Sequence, residues 1–160
     1  MIRQTWALLG VSALAAGLAM AGSAGAAPDW TVGPNFSVTV SLSPKAAARL
    51  AHPKETIMIS ADFYGDANAK GQSMQNDGGQ IELAPSQKDE IPGAGVAQFH
   101  GPRYDKTKLA YVDDGLQVLI NVFSGRHSSP DNILDCDFFQ DKIAVAAAAT
   151  IPIHCKLIGE

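Results

Sequence analysis

Apolar and small hydroxyl residues alternate strictly over Phe36–Leu42, a pattern typical of a β-strand with one buried and one wet face. Ser43 and Pro44 follow, and a proline at the first helical position after a serine cap favours a helix. The sequence therefore predicts a short helix over Pro44–Ala51, which Pro53 ends.

The next stretch alternates between short apolar runs and polar segments. Residues 57–64 place every second apolar side chain on one face and predict a second strand. Residues 65–79 are polar and rich in turn formers, so we expect an exposed loop. Residues 80–83 predict a short strand, residues 85–95 another loop, and residues 96–100 a further short strand.

The sequence Asp113-Asp114-Gly115 separates two apolar runs, residues 109–112 and 116–123. An Asp-Gly pair between apolar runs is a strong β-hairpin signal, so we expect a tight turn there. The second arm is apolar almost throughout and predicts a central, buried strand. Polar residues 124–132, here called the 124–132 loop, follow it.

Three more strands are predicted at residues 133–139, 143–149 and 151–158. The segment 144–150 is ambiguous, because four consecutive alanines favour a helix. We assign it as a strand, since it leads directly into a β-branched strand.

These elements add up to seven or eight strands and one short helix. Short strands separated by regular turns indicate a mainly β protein, an antiparallel β-sandwich of immunoglobulin- or transthyretin-like architecture. A small β-barrel is the alternative, because strand number alone does not distinguish the two.

The N-terminus has the three parts of a bacterial secretory signal peptide. Arg3 provides the early positive charge, an Ala- and Leu-rich apolar stretch spans residues 6–20, and small residues occupy 21–27. Cleavage after Ala26 would place Ala24 and Ala26 at the two positions that signal peptidase reads. An uncleaved membrane anchor is the alternative, but the apolar stretch is short for a membrane span. We therefore predict a signal peptide at 1–26, a single domain at 27–160, no membrane span after cleavage, and a periplasmic or secreted location.

The charge balance of the exported part excludes one class of partner. The whole chain has a formal net charge of −4, and removal of Arg3 with the signal peptide changes it to −5. A nucleic-acid partner requires clustered Lys and Arg, and no such stripe occurs. The expected ligand is a protein, a peptide or a glycan.

Both cysteines, Cys136 and Cys155, lie in the exported part, where paired thiols usually form a disulfide. Alternation places Leu134, Cys136 and Phe138 on one side of a strand. Alternation likewise places Cys155 on the apolar side of its own strand, with Ile153. We expect a disulfide between the two cysteines inside the core; two buried free thiols are the alternative.

The motifs of nucleophilic catalysis are incomplete, so no catalytic residue is assigned. Residues 124–128 include serine and histidine, but no Gly-x-Ser-x-Gly motif occurs. Polar loops on a rigid scaffold often carry binding function. The candidate binding residues of the 124–132 loop are Arg126, His127, Asp131 and Asn132, of which the first two offer donors to an anionic group.

No metal or cofactor is predicted. The four histidines, at positions 52, 100, 127 and 154, are isolated from one another. Metal ligands occur at regular short spacings, which are absent here. Gly93-Ala94-Gly95 lacks the rest of the dinucleotide-binding fingerprint.

The leading functional interpretation is an exported, non-catalytic binding or accessory protein of the bacterial envelope. Its contact regions would be residues 65–79 and the 124–132 loop. The alternatives are a small secreted hydrolase that uses His127 or the pair Asp113 and Asp114, and a periplasmic metal-handling protein.

Overall fold

The computed structural model describes residues 27–51 and 54–160. The predicted signal peptide, residues 1–26, lies outside the described residues. So does Pro53, the predicted end of the first helix.

The described residues form ten strands, two α-helices and one 3-10 helix. The strands are β1 (Trp30–Val32), β2 (Phe36–Leu42), β3 (Ile57–Ala67), β4 (Gln80–Ile91), β5 (Gly95–Phe99), β6 (Arg103–Asp105), β7 (Val112–Ser124), β8 (Leu134–Cys136), β9 (Phe139–Lys142) and β10 (Ile151–Leu157). The helices are α1 (Pro44–Ala51) and α2 (Ile143–Ala148), and the 3-10 helix spans Lys106–Tyr111.

The strands are arranged in two four-stranded sheets and one small sheet. The four-stranded sheets have the orders β5-β2-β10-β8 and β4-β3-β7-β9, and β1 pairs with β6. Both large sheets contribute side chains to one buried cluster, in which Phe36 and Phe63 meet edge to face with ring centroids 6.3 Å apart. The prediction of a mainly β, sandwich-like fold is confirmed. Only the pairing of β2 with β10 is parallel among the described strands.

Strand β2 and helix α1 have the predicted bounds. In β2 Phe36, Val38 and Val40 are buried, Leu42 is half-buried, and the hydroxyl residues are exposed or half-buried. The backbone amide of Ala46 donates to Ser43 Oγ over 3.1 Å, so Ser43 caps α1 as expected.

The predicted hairpin at Asp113-Asp114-Gly115 is wrong. Strand β7 runs through these residues without a turn, and residues 106–111 form the 3-10 helix. Asp114 and Gly115 do have positive φ, 60° and 78°, but the register between β3 and β7 shifts there. Asp114 and Gly115 therefore form a β-bulge inside the strand. Like a hairpin turn, such a bulge uses residues with positive φ.

The predicted loop at 85–95 is also largely wrong, because β4 continues through Pro85 to Ile91. Proline is tolerated in strands at edges and bulges, where its missing N–H is not needed. Strand β4 is an edge strand, and its register against β3 shifts next to Pro85.

The assignment of residues 144–150 as a strand is wrong, since α2 occupies Ile143–Ala148. Ile143 and Ala146, three positions apart, are its buried residues. The helical preference of the alanine run agrees with this one-sided burial, because positions three apart share a helix face.

The predicted strand at 133–139 is two strands in different sheets. Strand β8 pairs with β10, and β9 pairs with β7, so the chain crosses between the sheets at residues 137–138. Phe138 was expected to face the core with Leu134 and is instead 67% exposed. Alternation does not continue across the change of sheet.

The disulfide between Cys136 and Cys155 is present, as predicted. The two residues are direct partners in the β8–β10 register. Cys155 is fully buried, whereas Cys136 is half-buried and packs against the core. The disulfide therefore joins the core to its rim and secures the three-residue strand β8.

Candidate functional site

The 124–132 loop connects β7 of one sheet to β8 of the other. Its two ends are tied together by Asn132, whose Oδ1 accepts hydrogen bonds from the amides of Ser124 (2.9 Å) and Leu134 (3.1 Å). The amide of Ile133 in turn donates to Ser124 Oγ over 3.1 Å. Asn132, a predicted binding residue, is therefore committed to closing the loop.

The loop is anchored to the rest of the protein by Glu55, which lies between α1 and β3 and is only 2% exposed. Its carboxylate accepts four hydrogen bonds. Oε1 accepts from the amides of Thr56 and His127, each at 3.0 Å. Oε2 accepts from the amide and the hydroxyl of Ser128, at 2.7 and 2.6 Å. A buried carboxylate thus fixes the backbone of the loop.

Hydrogen bonding keeps Glu55 ionised in spite of its burial. Burial alone raises the pKa of a carboxyl group, because the charged form loses its hydration. The hydrogen bonds from the Ser128 side chain and from the amides of His127, Ser128 and Thr56 outweigh burial and lower the pKa of Glu55 to about 2. Near neutral pH the loop is therefore tied to a full negative charge.

Arg126 lies at the exposed turn of the loop, with a φ of 62°. A residue with a side chain pays about 1–2 kcal/mol for the left-handed conformation, and such strain persists only where the surroundings enforce it. Here the neighbouring residues are fixed by Glu55, and the amide of Gly125 donates to the Thr56 carbonyl over 2.9 Å. The guanidinium of Arg126 has no carboxylate partner among residues 27–51 and 54–160.

His127, also exposed, pairs with Glu90 of β4, with Nε2 2.6 Å from Oε1. The same Glu90 oxygen accepts a hydrogen bond from Thr56 Oγ1 at 2.5 Å. The hydrogen bond and the charge of Glu90 raise the pKa of His127, while hydrogen bonds from Thr56 and His127 lower the pKa of Glu90. Both shifts favour the ion pair, which fixes the imidazole at the loop surface.

The hydroxyl groups around His127 are directed at other acceptors. Ser128 donates to Glu55, Thr56 donates to Glu90, and Ser124 donates to Asn132 over 3.2 Å. A nucleophile requires a hydrogen bond to its base, and none of these hydroxyls donates to the imidazole. With His127 paired to Glu90, the guanidinium of Arg126 is the positive charge that the loop presents without a carboxylate partner among the described residues.

Gly125 has no room for a side chain. A Cβ atom at this position would lie 2.0 Å from Thr56 Oγ1 and 3.3 Å from Glu90 Oε1. We expect Gly125→Ala to displace the loop and cost about 1–3 kcal/mol of stability, as other overpacked substitutions do. Urea unfolding of the variant measures this cost.

The matched control is Gly93→Ala, because a Cβ there meets nothing within 4 Å. Its unfolding midpoint should be equal to or slightly above that of the wild type, because alanine restricts the unfolded chain without a clash in the folded one. Equal midpoints for both glycine variants would contradict the tight approach of Gly125 to Thr56.

The remaining predicted contact residues lie apart from this centre. Asp131 is exposed, and its amide donates to Ser129 Oγ at 3.3 Å. The predicted loop at 65–79 begins only after β3 ends at Ala67. It is closed internally by Asn68 and Asn76, whose Oδ1 atoms each accept two backbone amides.

The sequence indicated Arg126 and His127 as candidate binding residues but gave no indication of Glu55 and Glu90, which contact the loop. Glu55 contacts residues 72 and 73 positions away, and Glu90 contacts a residue 37 positions away. No local pattern around either glutamate signals these contacts. They exist only because the fold brings the end of α1, the edge strand β4 and the loop together.

No family model, curated protein or solved structure matches this chain. Within residues 27–51 and 54–160, no three His, Cys, Asp or Glu side chains are grouped as metal ligands. No helix in the same part of the chain is long and apolar enough to cross a membrane.

Proposed function

We propose that this chain is an exported, non-catalytic binding protein of the bacterial envelope, which uses the 124–132 loop to bind an anionic group on a protein, peptide or glycan. Arg126 is the principal contact, and His127 supports it. One observation supports the proposal most strongly. Arg126 is exposed and has a positive φ, and the backbone next to it is hydrogen-bonded to the buried carboxylate of Glu55.

Preorganisation supports this role. Binding costs less when the contact residues are already ordered, because no loop entropy is lost on association. The 124–132 loop is tied at both ends by Asn132 and in its middle by Glu55. Backbone strain of the kind seen at Arg126 concentrates in ligand clamps and binding sites. A cationic residue held in this way suits a carboxylate, sulfate or phosphate.

Export is supported by the N-terminal pattern and by the disulfide. Disulfides form and persist in oxidising compartments such as the periplasm. The Cys136–Cys155 bond is compatible with such a location. Cleavage after Ala26 would leave Trp30 of β1 close to the new N-terminus.

The test is retention of partners from an envelope extract by immobilised protein comprising residues 27–160. The variant Arg126→Gly removes the guanidinium and relieves the left-handed strain, so its stability should be equal to or greater than that of the wild type. We expect it to lose the partners that the wild type retains, in spite of its intact fold.

The matched control is Lys106→Ala, which removes one exposed positive charge from the 3-10 helix that precedes β7, at the opposite end of that strand from the loop. It should retain the same partners as the wild type. Identical partner sets for wild type and Arg126→Gly would refute the proposed contact.

A further inference from the structure

We propose a second binding surface, at the free edge of β9, that takes an extended basic peptide segment as an additional strand. The surface consists of β9, the exposed Phe138 that precedes it, and the acidic cleft beside it. It is independent of the 124–132 loop.

Strand β9 is the open edge of its sheet. It pairs with β7 on one side, and no described strand pairs with its other side. An edge strand offers unpaired N–H and C=O groups in the register of a β-strand, and extended peptides add to such edges. The opposite edge strand, β4, lies against β5 and β6, so β9 is the more accessible edge.

An open cleft of about 770 Å³ lies beside this edge and extends across β7 to Asp66 of β3, and all four residues of β9 line it together with Phe138. Phe138 is 67% exposed, the largest exposed fraction among the large apolar side chains of the described residues. It provides an apolar contact for a side chain of the added strand.

The charges that line the cleft favour a basic peptide as its ligand. Three carboxylates line it, from Asp66, Asp114 and Asp141, against one cation, Lys142. Lys142 is paired with Asp114 at 2.8 Å, so the remaining charge is negative. Opposite potentials steer and orient partners, which favours a strand bearing Lys or Arg. A second copy of this chain is a weaker match, because its β9 carries one Asp and one Lys and therefore brings no net positive charge to the cleft.

The probe is a fluorescein-labelled hexapeptide with the sequence Lys-Val-Lys-Val-Lys-Val, and anisotropy measures its binding to the protein at low salt. We expect saturable binding that weakens as salt is raised. An analogue in which every backbone amide is N-methylated has no N–H donor on either edge of the strand and should bind at least about tenfold more weakly, the equivalent of one or two lost hydrogen bonds. An analogue with Glu in place of Lys should not bind.

Two variants test the position. Asp141→Asn removes the carboxylate carried by β9 itself and should weaken binding by about fivefold, the upper end of exposed ion-pair energies. The control is Asp89→Asn on β4: Asp89 accepts the amide of the next residue through Oδ1, as Asp141 does, so this change is locally equivalent. It should leave the affinity unchanged.

Amide chemical shifts locate the peptide. Perturbations confined to Phe139–Lys142 and neighbouring residues support the proposal. Equal binding of the N-methylated or the Glu analogue, shifts centred on another edge strand, or dimerisation of the protein without peptide binding would each overturn it.

Discussion

Glu55→Gln should lower the free energy of unfolding at pH 7 by about 3 kcal/mol, the value that follows from its lowered pKa. The glutamine amide keeps the size of the side chain but replaces one acceptor oxygen with a donor. Backbone amides of His127 and Ser128 that donate to the carboxylate then face either a neutral acceptor or another donor. Buried donors without acceptors cost about 1–3 kcal/mol each, which agrees with this magnitude. Urea unfolding measures the difference.

The pH dependence of this difference identifies its cause. The pKa of Glu55 is about 2 in the folded protein, against 4.5 for an ordinary glutamate. A lowered folded-state pKa gives stability that is fully present above about pH 5 and is lost as pH falls toward 2. The stability difference between wild type and Glu55→Gln should therefore shrink from about 3 kcal/mol at pH 7 to about 1 kcal/mol at pH 3.

The control for Glu55→Gln is Glu82→Gln, on an exposed residue of β4 whose side chain makes no hydrogen bond within the described residues. Its stability should stay within about 0.5 kcal/mol of the wild type at both pH values. A Glu55→Gln protein as stable as this control would show that the carboxylate does not hold the loop.

Removal of the disulfide by the double change Cys136→Ala and Cys155→Ala should cost about 3 kcal/mol, because the bond closes a loop of about 20 residues in the unfolded chain. The sequence separation of the two cysteines is 19. Strand β8 has only three residues, and its pairing with β10 includes the bonded pair itself. Urea unfolding of the oxidised wild type and the double variant measures the loss.

Reduction provides the matched control for the disulfide. Reduced wild type should unfold near the midpoint of the double variant, and a reductant should leave the variant unchanged. A double variant as stable as oxidised wild type would mean that the bond adds nothing to the fold.

The parts of the fold that local sequence determines were predictable. Strand β2 alternates with period two, and α1 begins at a serine cap followed by proline. The disulfide followed from two cysteines that each lie in phase with apolar neighbours. In these cases the local pattern and the tertiary environment favour the same structure.

The errors arose where one local signal serves two structures. Asp114 and Gly115 adopt the positive φ of a hairpin turn within a bulge. A proline in a central strand would interrupt its hydrogen bonding, but Pro85 is tolerated because β4 is an edge strand. Phe138 continues an apolar alternation, yet the chain changes sheets there. Whether such a signal leads to a turn, a bulge, a strand end or a change of sheet depends on the order of the strands in the sheets, which local sequence does not encode.

The candidate site was half predictable for the same reason. Exposure and residue type of the 124–132 loop indicated Arg126 and His127. The residue that organises them, Glu55, is separated from the loop by about 70 positions of chain. A single charged residue between a helix and a strand gives no sequence signal of a buried clamp, because its partners are backbone amides.

We infer that Glu55 keeps the backbone of residues 126–128 rigid through its bonds to the amides of His127 and Ser128, and heteronuclear ¹⁵N relaxation of the loop amides tests this directly. In the wild type, the amides of Arg126, His127 and Ser128 should be as ordered as those of β7, and in Glu55→Gln they should become mobile while β7 stays ordered. Loop amides that are already mobile in the wild type, or that stay equally ordered in Glu55→Gln, would contradict the account.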